Sequence, residues 1–109
     1  MKIAVIGSRN LGVPNLGDFL PAETQELVSG GAKGVDTVVR EYAEAHGIKL
    51  TEFLPDYAKF GRGAPLKRNL QIIEYADLVL AFWDGKSRGT KHVIDNCEKL
   101  NKHLKTILL

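Results

Sequence analysis

The chain has 109 residues, 44% of them hydrophobic and 26% charged, enough for one compact domain with its own core and leaving no room for a second. A formal charge of +2, from 15 Lys and Arg against 13 Asp and Glu, is too slight to announce a nucleic-acid binder, whose basic residues concentrate on one face. One cysteine, Cys97, excludes an internal disulfide and fits a reducing, cytoplasmic setting, while no apolar run nears the roughly 18 residues that span a membrane.

The opening "MKIAVIGSRN" has too short an apolar stretch for a secretory signal. Its "IAVI" (3–6) is a continuous apolar run ending at a glycine, the pattern of a buried parallel strand. Residues 8–25 are turn-rich, contain Pro14 and Pro21, and predict one short helix near "NLGDFL" (15–20). "ELV" (26–28) reads as a brief second strand. Val35, Val38, Val39, Tyr42, Ala43 and His46 then fall at helical spacing, and Gly47 stands where a helix ends. "KLTEFL" (49–54) predicts a third strand, and "PDYAKFGRG" (55–63) a loop. Pro65 suits the first turn of a helix whose apolar side carries Leu66, Leu70, Ile73 and Ala76. "DLVLAFW" (77–83) is the clearest strand, "DGKSRGT" (84–90) a second glycine-bearing loop, Val93 to Leu100 a last helix, and "KTILL" (105–109) a final strand.

This alternation predicts a three-layer, Rossmann-like α/β domain over residues 1–109 with about five parallel strands. In such sheets ligands bind beyond the carboxyl ends of the strands, where the strand order switches. Gly7, Gly30, Gly31, Gly34, Gly85 and Gly89 lie in the loops expected at that end.

The segment "SGGAKGVD" (29–36) carries the strongest signal. Ser29, Gly30, Gly31, Ala32, Lys33 and Gly34 would let backbone amides and a helix N-terminus approach a phosphate, with Asp36 early in the following helix. A ligand-free strand-to-helix turn is the plainer alternative. "GKS" (85–87) is not a P-loop, because that motif needs glycine at position 80, which is Leu. It still opens a helix, with Ser87 and Thr90 as capping residues and Lys86, Arg88 and Lys91 favouring an anion. Arg68 and Asn69 in "APLKRN" (64–69) offer a bidentate cation and an amide, against the alternative of an exposed helix face. Ser8 and Arg9 in "GSRN" (7–10) follow the first strand at the same mouth, with Asp84 at the end of the fourth. Trp83 and Tyr57 could stack on a base, although core packing suits Trp83 better. His46, His92 and His103 have no metal-ligand spacing with one another or with Cys97, so neither metal nor cofactor is expected.

Taken together, "GSRN", "SGGAKGVD", "EYAEAHGI", "TEFLPDY", "APLKRN" and "ADLVLAFWDGKSRGTKH" resemble the SLOG superfamily, and most closely its short YspA, cpYpsA-related group. The resemblance covers nearly the whole chain and is weakest over 8–25. It implies a Rossmann-like domain that binds a nucleotide or nucleotide-derived small molecule, of the ADP-ribose or cyclic-nucleotide type, as a sensor or sequestering protein in phage–host conflict. Relatives in that superfamily include the Lonely-guy phosphoribohydrolases and DNA-processing protein A, which binds single-stranded DNA. By that likeness "SGGAKG" corresponds to a phosphate segment, Arg68 falls near a catalytic arginine, and Gly89-Thr90 aligns with a second glycine-rich motif.

The chain departs from the Lonely-guy pattern where those enzymes carry a catalytic glutamate, because His92 and Val93 occupy the positions. Cleaving an N-glycosidic bond builds positive charge on the ribose, which a carboxylate stabilises. A nucleotide N-glycosidase, with Arg68 and Asp84 as its catalytic groups, is thus the alternative reading, and single-strand nucleic-acid binding a third. Homodimer formation is a further expectation, by analogy with the Lonely-guy group.

Overall fold

The computed structural model describes residues 1–8, 13, 15–30 and 34–108. Five parallel strands form one sheet: β1 (Lys2–Gly7), β2 (Glu26–Ser29), β3 (Lys49–Glu52), β4 (Leu78–Trp83) and β5 (Leu104–Leu108), in the order β3-β2-β1-β4-β5. The helices are α1 (Val35–His46), a single turn α2 (Tyr57–Phe60), α3 (Ala64–Tyr75) and α4 (Arg88–Lys99), with 3-10 turns at Leu16–Phe19 and Gly61–Gly63. The fold is the predicted three-layer, Rossmann-like α/β arrangement.

Side chains alternate across the central strand. Ile3 and Val5 of β1 point to a core that holds Leu27, Val35, Val39, Leu80 and Phe82, under α1 and the first 3-10 turn. Ala4 and Ile6 point the other way, to Val28, Ile72, Ile73, Val79, Val93 and Cys97, under α3 and α4. With both faces covered, β1 and β4 must be apolar throughout, which is why their runs are unbroken. β3 lies at an edge and is half-exposed. No helix among the described residues is long and apolar enough to cross a membrane.

Several local expectations differ from the structure. The segment 55–63 is not simple loop: Asp56 caps the turn α2, accepting from the Lys59 amide at 3.1 Å, and a 3-10 turn leads on into α3. On α3 the side facing the sheet is Ile72, Ile73 and Ala76, whereas Leu66 is 47% exposed. α4 begins at Arg88, inside the predicted loop, because Ser87 caps it by accepting from the Thr90 amide.

Gly7 closes β1 against the start of α1. A Cβ there would stand 2.7 Å from Val35 Cβ, so the approach of strand to helix depends on a bare backbone.

Candidate functional site

The strand order reverses between β1 and β4, whose pairing runs from Ile3 opposite Leu78 to Gly7 opposite Phe82. Beyond their carboxyl ends lies a cavity of about 530 Å³, within the size range of small-molecule sites. Ile6 and Gly7 of β1, Ser8 just after it, Gly30 after β2 and Asp84 after β4 form its floor and wall. Asp36 enters from α1, Pro65, Leu66, Arg68 and Asn69 from α3, and Lys86, Ser87, Gly89 and Thr90 from the start of α4. Three helices of 12 residues each therefore turn their N-terminal ends toward one space.

Most of the residues singled out in the sequence meet here: Gly7, Ser8, Gly30, Asp36, Arg68, Asn69, Asp84, Ser87, Gly89 and Thr90. Ser29, Gly34 and Arg88 do not line it. Ser29 is fully buried in β2, and its carbonyl accepts from the Phe53 amide. Gly34 is the N-cap of α1 at φ 76°, and Arg88 is the first residue of α4. Arg9, Gly31, Ala32 and Lys33 lie outside the described residues. The apolar lining of Ile6, Pro65 and Leu66 went unpredicted, since apolar residues in strands and helices signal core before they signal a ligand.

The Arg68 guanidinium is directed by the protein itself. Its Nη1 donates to the Gly30 carbonyl at 2.8 Å and its Nε to Asn69 Oδ1 at 3.0 Å. A Cβ on Gly30 would sit 2.5 Å from Nη1, so the glycine leaves the room in which the cation lies. Arg68 thereby orients the Asn69 amide, whose Nδ2 comes within 3.5 Å of His92 Nδ1. Val93 is fully buried in the core. His92 and Val93 thus bring no carboxylate to the cavity.

The loop after β4 is built around Asp84. Its Oδ1 accepts from the amides of both Lys86 and Ser87 at 2.8 Å, and these two bonds hold the carboxyl below its ordinary value. The Ser87 amide and the Lys86 amide are thus closed to an external anion. At α4 the Thr90 amide is taken by Ser87 Oγ, so Arg88 and Gly89 keep the open first-turn amides. Trp83 supports the same loop from below, its half-buried indole donating to the Ser87 carbonyl at 3.1 Å. Tyr57 is 60% exposed on α2 and does not line the cavity.

Ser8 differs from its neighbours. It is 3% exposed, its amide donates to the Phe82 carbonyl, and its Oγ has no hydrogen-bond partner among the described residues. The hydroxyl nonetheless stands close enough to Asp84 to help hold that carboxyl low, behind the two loop amides. No group of three or more metal-ligating side chains occurs among the described residues.

In comparisons with known proteins, the chain is similar to the Gene 61 protein of Mycobacterium phage D29. The two are 33% identical over 79 residues, covering 67% of this chain and 63% of the relative. The chain thus spans less than two thirds of the length of that curated relative. No family model matches the sequence, and no solved structure matches it.

Proposed function

We propose that the cavity binds a nucleotide or a nucleotide-derived small molecule, and that the chain is a nucleotide-sensing or sequestering domain of the SLOG type. The observation that carries this reading is the convergence of three helix N-termini on one cavity at the switch in strand order. Each helix end carries a partial positive charge, and at α4 the Arg88 and Gly89 amides lie beyond the reach of the Ser87 cap, which together favour an anion. Lys86 and the anchored Arg68 add full charges at the same place. The phosphate belongs at the Arg88 and Gly89 amides, because Asp84 already occupies those of Lys86 and Ser87. The likeness to a phage gene product supports a phage setting.

Binding rather than hydrolysis suits the geometry better. Arg68 is committed to the Gly30 carbonyl and to Asn69, and the position of the Lonely-guy glutamate offers only His92 and Val93. The test is incubation of the protein with AMP, ADP-ribose and NAD, followed by chromatography and thermal melting. Unchanged ligand with a raised melting temperature is expected, a hundredfold excess over Kd giving about 2.7 kcal/mol of added stability. Free adenine or nicotinamide that disappears in Arg68→Ala would replace this reading with the N-glycosidase.

A further inference from the structure

We propose that the surface formed by residues 54–67, leading into α3, docks a protein partner through an acidic segment that carries aliphatic or aromatic anchors. The inference stands apart from the nucleotide reading of the cavity.

Two separate excesses coincide on this surface. The first is charge. Residues 54–67 hold Lys59, Arg62 and Lys67 against one acid, Asp56, an excess equal to the +2 of the whole chain, so the remaining residues balance. All three cations are exposed. None forms an ion pair among the described residues, whereas Arg40, Lys49 and Lys91 each face a carboxylate. Asp56 itself caps α2 through the Lys59 amide.

The second excess is apolar. Six large hydrophobic side chains are exposed among the described residues, and three of them fall in this stretch: Leu54 at 64%, Tyr57 at 60% and Leu66 at 47%. Scattered singly, such residues are ordinary surface; gathered beside cations, they have the make-up of an interface with apolar anchors and a polar rim. The half-buried Phe60 ring ties the stretch together, with Lys59 Nζ 5.2 Å and Lys67 Nζ 5.9 Å from its centre. Between α2 and α3 the backbone is bare. A Cβ at Gly61 or Gly63 would meet nothing within 4 Å, so a partner chain can approach closely.

The same residues decide between two kinds of partner. Single-stranded nucleic acid needs several open aromatic faces beside its cations. Phe60 is half-buried under two ammonium groups, which leaves Tyr57 as the open ring of 54–67, and leucines offer no plane for a base. An acidic peptide uses the whole surface. Its carboxylates answer the cations, and its apolar side chains cover Leu54, Tyr57 and Leu66.

The experiment follows fluorescence anisotropy of three labelled probes with the whole chain. One is a peptide in which acidic residues alternate with Leu and Phe; the second keeps its length and charge but has Ser for the apolar residues; the third is an oligothymidylate. The first is expected to bind at least about fivefold tighter than either other probe, the difference one apolar anchor makes, and to weaken as salt rises. Arg62→Glu is expected to lower its affinity about tenfold, and Leu54→Ser about fivefold. Both side chains are exposed and neither lines the cavity, so one variant serves if the other fails to fold. Equal affinity for the two peptides, tighter binding of the oligothymidylate, unchanged affinity in both variants, or no binding of the first peptide at about 1 mM would overturn the proposal. A missing thermal shift with nucleotides, beside intact peptide binding, would remove the cavity reading alone.

Discussion

The two ends of the sheet bury polar groups in opposite ways. At the amino end, Glu26 is 8% exposed at the start of β2, yet its carboxylate accepts from Thr51 and Tyr75 and pairs with Lys49 at 3.4 Å. At the carboxyl end, Ser8 is as deeply buried and its hydroxyl has no hydrogen-bond partner within ordinary distance among the described residues, although it helps to lower the Asp84 carboxyl. Closed networks hold a fold together, while an open group beside a cavity waits for something outside the chain. The Glu26 cluster is closed within the fold, and the Ser8–Asp84 corner stands at the cavity wall.

Removing Glu26 tests the closed end most severely. Glu26→Ala leaves the Tyr75 and Thr51 hydroxyls without their acceptor, and is expected to lower unfolding stability by about 3 kcal/mol in urea titrations. The same cluster sets an acid dependence. Desolvation raises the Glu26 carboxyl, but the bonds from Tyr75 and Thr51 and the charge of Lys49 outweigh it and leave it lowered. Its stabilisation is therefore complete above the unfolded value of 4.5 and is lost as pH falls through the lower folded value. Glu26→Gln is expected to flatten the fall of the urea midpoint in that acid range, which repeated melts at stepped pH would read.

At the other end, packing and openness can be separated. Gly7→Ala drives a methyl into Val35 and is expected to cost about 2 kcal/mol, because Val35 is buried at the base of α1. Ser8→Ala, one residue further, removes a hydroxyl with no hydrogen-bond partner within ordinary distance among the described residues. It is expected to leave stability unchanged or raise it by up to about 1 kcal/mol. A loss of 2 kcal/mol or so would show that the hydroxyl has an internal partner and would erase the contrast between the ends.

The smallest effect is expected at Cys97. Burial pushes its thiol up to about 11, so it is neutral at pH 8, on the buried face of α4. Iodoacetamide should label the native chain far more slowly than the urea-unfolded chain, with no change in melting temperature before labelling.

How much of this was legible in the sequence follows from how local each signal is. The runs "IAVI" and "LVLAF" announced central strands because burial on both faces leaves no polar position to confuse the pattern. β3 was harder and ended earlier than expected, at Glu52, since an edge strand is half-exposed. The turn α2 was missed because a four-residue helix held by one Asp56 cap has no periodicity to read. Of the glycines expected at the mouth of the sheet, Gly7, Gly30 and Gly89 line the cavity. What they could not tell was which groups the protein uses up itself. That Arg68 bonds a carbonyl 38 positions away, or that Asp84 closes two amides, depends on the folded loops.

Trp83, the single tryptophan of the chain, has its indole N–H fastened to the Ser87 carbonyl, in the loop that also carries Asp84 and Lys86. The ring thus serves as a built-in optical gauge. Any shift of that loop when the cavity fills alters the indole's environment, and its emission colour reports occupancy with no dye attached.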